Sequence, residues 1–213
     1  MVTHWTQRGQ VEDDSWKQPV CYVVTDIETD GPEPGKNSML SFASVAVSQT
    51  GEFFSTFEAS LAPLVGAVAD PGTLSWLQSQ PGAWADATRD PRPPEAVMAD
   101  YVDWLRALPT QAVFVAHSVS FDGFWIDWYL RRFAGRRLAC GPYGGERLFL
   151  AGGLDLPTLV MGTKGWRYGH CRRECYPADW FGDHAHNHRA IDDALGYAHF
   201  LVLLLGLKNP PEA

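Results

Sequence analysis

Apolar residues are unevenly spaced along this chain, and their spacing predicts its elements. From residue 20 to 27, "VCYVVTDI", the apolar run is nearly unbroken, as in a strand buried on both faces. Asp30-Gly31-Pro32 ends it with turn chemistry. "MLSFASVAVS" and "GEFFSTFEASL" meet through Gln49-Thr50-Gly51 and predict a hairpin. Helices are predicted over 73–80 and 94–108. In the second, Val97, Tyr101, Trp104, Leu105 and Leu108 recur at helical spacing. "AVFVAH" is a further short buried strand that leads into a helix over 121–133. Residues 135–187 are rich in Gly, Arg, Pro and His, with a short helix expected over 155–161. The last helix starts near Arg189 and runs to about Leu205. Strands first, then helices alternating with a strand, predict an α/β fold with a central mixed β-sheet flanked by α-helices.

Composition narrows the class. With 213 residues, 46% of them hydrophobic, the chain can bury the core of one domain. That domain is expected over 19–207, between a loosely ordered arm, 1–18, and a short C-terminal tail, 208–213. No charged start followed by an apolar run precedes the first strand, so no secretion signal is read. The longest apolar stretch, "FLVLLLGL", falls far short of the ~20 residues a spanning helix needs. The four cysteines, Cys21, Cys140, Cys171 and Cys175, are scattered, and no disulfide framework is expected of them. A cytoplasmic protein without a membrane partner is the expectation.

Charge adds a second layer. The net charge of −8 speaks against tight, non-specific binding to long duplex DNA. Yet residues 131–189 hold ten basic and five acidic side chains, +5 in all, which leaves −13 for the rest. Such a segment is either an ordinary solvated surface or a basic rim that guides a polyanion toward an acidic centre.

The acidic centre begins in "TDIETDG", where a buried strand runs into Asp26, Glu28 and Asp30. Asp26 and Glu28 are two apart, so on a strand both side chains leave from one face. Like charges side by side at a buried strand end are costly unless a cation lies between them. Hard divalent ions such as Mg²⁺ or Mn²⁺ suit such oxygen ligands. Exposed turn carboxylates are the plainer reading of this stretch alone. "AHSVSFDGFWIDWYL" repeats the arrangement: a buried strand, a turn, then Asp122 where a helix begins. Strand ends in an α/β sheet share a crevice, so Asp122 can face Asp26; its plainer role is to cap the helix. In "HNHRAIDDALGYAHFLVLLL", helical geometry separates two neighbouring acids. Asp193 shares an apolar face with Ala190, Tyr197, Phe200 and Leu204, whereas Asp192 aligns with Gly196 and His199 on a more solvent-like face. Asp193 is therefore aimed inward and needs compensation. Ala190 and Ala194 let this helix approach the sheet closely. His188 sits just before it.

Three motifs, Asp26-Ile27-Glu28-Thr29, His117-x-x-x-Phe121-Asp122 and His188-x-x-x-x-Asp193, resemble in order and spacing those of the DEDDh, or DnaQ-like, 3′–5′ exonucleases. The resemblance spans residues 21–205. It implies an RNase H-like fold and hydrolysis of phosphodiester bonds at 3′ ends to release 5′-nucleotides. It implies that Asp26, Glu28, Asp122 and Asp193 bind two divalent cations, Mg²⁺ or Mn²⁺, and that His188 is the general base. It further implies substrate contacts at Thr29, Ser118 and Phe121; Ser118 stands where many relatives carry Asn. Some stand-alone members of the family are dimers, so a homodimer is expected. The acidic balance favours single-stranded DNA or RNA 3′ ends over long duplex. The two rivals are a catalytically silent nucleic-acid-binding module and a nucleotide phosphohydrolase on the same fold.

Other groups are weaker signals. Cys171, Cys175, His184 and His186 invite a zinc reading, but Cys-x₃-Cys with His-x-His is not a finger spacing. A polar loop is the plainer account. Trp125, Trp128 and Tyr129 read as core, while Trp166, Tyr168, Tyr176 and Trp180 among the arginines suit either a nucleic-acid rim or a partner surface. "GPYGG", 141–145, is a turn whose glycine spacing matches no phosphate loop.

Overall fold

The computed structural model describes residues 18–139 and 146–207. The expected N-terminal arm (apart from residue 18), Cys140, the 141–145 turn and the C-terminal tail lie outside the described residues. Five strands form one sheet in the order β3-β2-β1-β4-β5. β1 (Val20–Thr29), β2 (Met39–Ser48) and β3 (Phe53–Ser60) make an antiparallel meander, and β4 (Gln111–Ala116) joins β1 in parallel. β5 is only Leu154–Asp155, parallel to β4. The sheet is mixed, as expected.

Alternation along β1 divides the molecule into two layers. Cys21, Val23 and Ile27 pack with α3 (Pro94–Arg106) and with the helical segment 119–134, whose centre is α4 (Phe124–Tyr129). Val24, with Tyr22 against it, packs on the opposite face beneath α6 (Ala190–Leu205) and α5 (Leu156–Lys164). Asp26 and Glu28 continue the even-numbered row of β1, so they too face α6. Ala190, Ala194, Ala198 and Leu201 are buried on that side of α6, and small residues there let the helix lie close to β1 and β2.

The interior also holds polar groups that fix register. Thr25 and Ser44 share a hydrogen bond of 2.7 Å, and Ser44 meets the Tyr101 hydroxyl at 3.0 Å. The backbone N–H of Met39 donates to the Tyr129 hydroxyl at 2.8 Å. That bond holds the start of β2 beside the register shift between Glu28 and Thr29. Tyr129→Phe should therefore strand a buried donor and cost about 1–3 kcal/mol. The check is a urea midpoint that falls at unchanged slope.

Several expectations are corrected. A helix not read from the sequence, α2 (Pro81–Ala87), follows α1 (Pro71–Gln78), with proline at its first position, which suits proline. The short helix expected over 155–161 is α5, and the edge strand β5 precedes it. Trp166, Tyr176 and Trp180 are not a rim. They pack on one another, and Tyr176 and Trp180 also on Phe200, with ring centroids 4.8–6.0 Å apart. Tyr168 alone of that group is strongly exposed. Trp125 and Tyr129 are core, as read. Part of the basic rim is neutralised: Arg136 reaches Glu146, to which Arg106 of α3 also pairs, and Arg131 pairs with Asp127.

Candidate active site

β1 and β4 run parallel with Val24 opposite Val115, so their ends open on the same edge of the sheet. Asp26, Glu28 and Asp193 each place a carboxylate oxygen there, all within 4.8 Å of one another. Asp122 enters from the turn after β4. Its N–H and that of Phe121 donate to the Ser118 carbonyl, at 3.0 and 3.1 Å, which starts the helix and turns Asp122 inward. Asp122 is buried, and its Oδ2 has no hydrogen-bond partner among the described residues. Asp30, by contrast, is not part of the cluster. Its carboxylate accepts from the Ser38 N–H and pins the β1–β2 loop.

Crowding four acids has an electrostatic consequence. Burial, then the charges of Asp122, Glu28 and Asp193, push Asp26 well above the usual carboxylate range. Burial and repulsion from Asp193 and Asp122 carry Glu28 to about 9. Burial, with Asp155 nearby, takes Asp122 to about 8. Without a cation these groups hold protons that the unfolded chain would release. Raised folded-state values stabilise the metal-free protein below the unfolded carboxylate range, and that stability is lost as pH rises through the folded values. Metal-free protein should thus lose stability steadily from about pH 4 to 9. A saturating divalent cation that binds the folded carboxylates and not the unfolded chain, tested as Mg²⁺, should flatten the profile. Melting temperatures across that pH range, with and without Mg²⁺, are the check. An unpartnered buried carboxylate oxygen, mutual repulsion and an all-oxygen donor set together fit hard divalent ions.

Asp193 is held from the other side by the segment before α6. The N–H of Asn187 donates to its Oδ1 at 3.2 Å and the N–H of His188 to its Oδ2 at 3.1 Å. His188 adopts φ 60°, unusual for a non-glycine residue. This turn wraps the backbone around the carboxylate and sets the imidazole beside Asp193 and His186. Burial and His186 lower the His188 pKa, against the pull of Asp193, so the ring is neutral near pH 7. Asp192 instead accepts from Asn187 Nδ2 at 2.7 Å and Arg189 at 2.9 Å. Arg189 also reaches Asp86 at 3.3 Å, which ties the start of α6 to α2. The face of α6 bearing Gly196 and His199 is less open than expected. Phe181 and His184 cover Gly196, and Gly182 lies against His199.

The remaining sequence candidates are placed as follows. Phe121 is exposed near Asp122. Ser118 Oγ meets Ser120 Oγ at 2.9 Å. Thr29 donates its hydroxyl to the Gly31 carbonyl at 2.9 Å, which leaves the oxygen able to accept but not to donate a further bond. His117 stacks on Tyr197 with centroids 5.1 Å apart and shares a 3.3 Å hydrogen bond with Tyr176. The four zinc candidates are not brought together among the described residues. Cys171 is buried and directs its thiol to the Arg167 carbonyl, and His186 belongs with Asp193. Two residues escaped sequence reasoning. His186 Nδ1 lies 2.9 Å from Asp193 Oδ2, a contact hinted at only by its place two residues before His188. Trp76, on α1, meets the His188 ring edge-on at 4.7 Å. Nothing local in the sequence marks that long-range contact.

No protein-family model matches the chain. Over 177 residues it is 24% identical to the 3′–5′ DNA exonuclease Cap18 of Escherichia coli, covering 79% of this chain and 85% of that one. The nuclease domain of 3′hExo, described as a DEDDh family member bound to rAMP, superimposes with a TM-score of 0.59 at 11% identity, over 88% of this chain and 92% of that one. E. coli exonuclease I in complex with a dT13 oligonucleotide gives 0.65 at 15% identity, over 90% of this chain and 42% of that much longer one. Sheet order and flanking helices thus define the RNase H-like fold. Within it, the chain is similar to the DEDDh 3′–5′ exonucleases, in agreement with the resemblance its three motifs carry.

Proposed function

We propose that the protein is a metal-dependent 3′–5′ exonuclease that releases 5′-nucleotides from single-stranded DNA or RNA. Asp26, Glu28, Asp122 and Asp193 would hold two divalent cations, Mg²⁺ or Mn²⁺. The observation that carries this reading is the convergence of Asp26, Glu28 and Asp193 within 4.8 Å, beside the unpartnered Asp122 carboxylate. When bound, such ions activate water and stabilise charge on the attacking and leaving oxygens of a phosphodiester.

The chain's own residues supply the rest. His188, neutral and held by its backbone on Asp193, accepts the proton of the attacking water. The Asp193 charge stabilises the imidazolium that forms. Phe121 offers an exposed ring for the face of a base, a contact indifferent to sequence. Ser118 and the Thr29 backbone contact the terminal nucleotide. Cap18 is named for DNA and 3′hExo is described with a ribonucleotide, so the sugar is a variable of the test.

Chromatography of an oligonucleotide digest should yield nucleoside 5′-monophosphates, with nucleoside triphosphates left intact. Nucleoside 3′-monophosphates as the products would overturn the mechanism. Faster hydrolysis of a triphosphate than of the oligonucleotide would establish the nucleotide phosphohydrolase instead.

A further inference from the structure

A second ligand set overlaps the first. One atom each from His186, His188 and Asp193 lies within 4.8 Å of the others. The backbone bonds from Asn187 and His188 to Asp193 bring both imidazoles onto this one carboxylate. His186 Nδ1 is 2.9 Å from Asp193 Oδ2, and the two imidazole centroids are 4.3 Å apart. The His186 side chain is one-third exposed, so solvent reaches the set. Its chemistry differs from that of the four acids. Two imidazoles and one carboxylate suit zinc, whereas Mg²⁺ prefers oxygen alone. Zinc bonds of about 2.0–2.2 Å set neighbouring tetrahedral donors roughly 3.4 Å apart, so the three groups need shift only by an ångström or so.

We propose that His186, His188 and Asp193 form an inhibitory zinc site. Zinc bound there takes Asp193 from the carboxylate set and occupies the imidazole of His188 at once. The binding claim stands on geometry alone; the inhibition claim rests on the exonuclease reading above. Asp193 is shared with Asp26 and Glu28, so zinc at this site and a full complement of catalytic ions exclude each other. His186, which the four-acid set does not use, is the residue that distinguishes the two.

The test is zinc binding to the full chain, followed with a chromophoric zinc indicator in millimolar Mg²⁺, for wild type and three variants. Wild type should take up one equivalent. Loss of even an outer partner of a metal ligand weakens metal affinity 10–100-fold, so His186→Ala, which removes a direct ligand, should weaken it by about a hundredfold. Asp26→Asn, which damages only the carboxylate set, should retain zinc, and Cys175→Ser should behave as wild type. Undiminished binding in His186→Ala, or loss in Asp26→Asn equal to that in His186→Ala, overturns the site. In the nuclease assay, zinc should inhibit wild type at saturating Mg²⁺, and a zinc-selective chelator should reverse the effect. The inhibitory concentration should rise in His186→Ala in step with the affinity. An unchanged inhibitory concentration despite weakened binding would overturn the inhibitory role while leaving the site. Because the indicator reads binding without catalysis, absence of nuclease activity would not affect the binding result.

Discussion

Asp193→Asn should abolish exonuclease activity, while its neighbour Asp192→Asn should retain most of it. Both residues sit in the first turn of α6, one residue apart, with opposite surroundings. Asp193 is buried among the acids of β1 and accepts two backbone N–H groups. An asparagine there can still accept one of those bonds, so the helix start survives while a charge facing the reaction is lost. The expected fall is about 10²–10³-fold or more, the range for removing one electrostatic stabiliser of a transition state. Among the described residues, the Asp192 carboxylate bonds to Asn187 and Arg189. Its loss loosens the segment that carries His188, and a decrease within about tenfold, or 1.4 kcal/mol, is expected. Steady-state rates on one oligonucleotide, with matching circular dichroism spectra, make the comparison. Equal losses in both variants would mean that the helix presents the wrong face.

His188→Ala should lower the rate by about 10²–10⁴-fold, the usual contribution of a positioned general base, with cation binding retained. The His188 N–H bond to Asp193 is a backbone bond, so the substitution removes the imidazole without removing that contact. Calorimetric Mn²⁺ binding should therefore stay close to wild type. A variant that loses Mn²⁺ as well as activity would make His188 a ligand instead of a base.

The elements that position the site were legible where local chemistry specified them. The apolar run of β1 ending in Asp26 and Glu28, and the small-residue face of α6, are period-two and period-3.6 signals that tertiary packing did not override. The separation of Asp193 from Asp192 followed from helical geometry alone, and the buried and half-exposed positions of the two side chains agree with it. What escaped depends on contacts distant in sequence. Trp76 reaches His188 across 112 positions. α2 was hidden because Pro81-Gly82 reads as a break, yet proline at a first turn lacks only an N–H the helix would not use. The 166–181 segment shows no period because it is broken into short helical turns, and Tyr176, Trp180 and Phe181 fold onto Phe200 by shape rather than by repeat. His186 lies in plain view but reads with Cys171, Cys175 and His184 or as part of a polar loop, since only the turn at His188 brings it onto Asp193.

The most direct test of the central claim is a single gel. Equal sequences of 5′-labelled single-stranded DNA and RNA are incubated with EDTA, Mg²⁺ or Mn²⁺. The account predicts a ladder that shortens from the 3′ end in the metal lanes and is absent in EDTA. Oligonucleotide binding without any shortening, on either strand and with either metal, would contradict it and leave a nucleic-acid-binding module in its place.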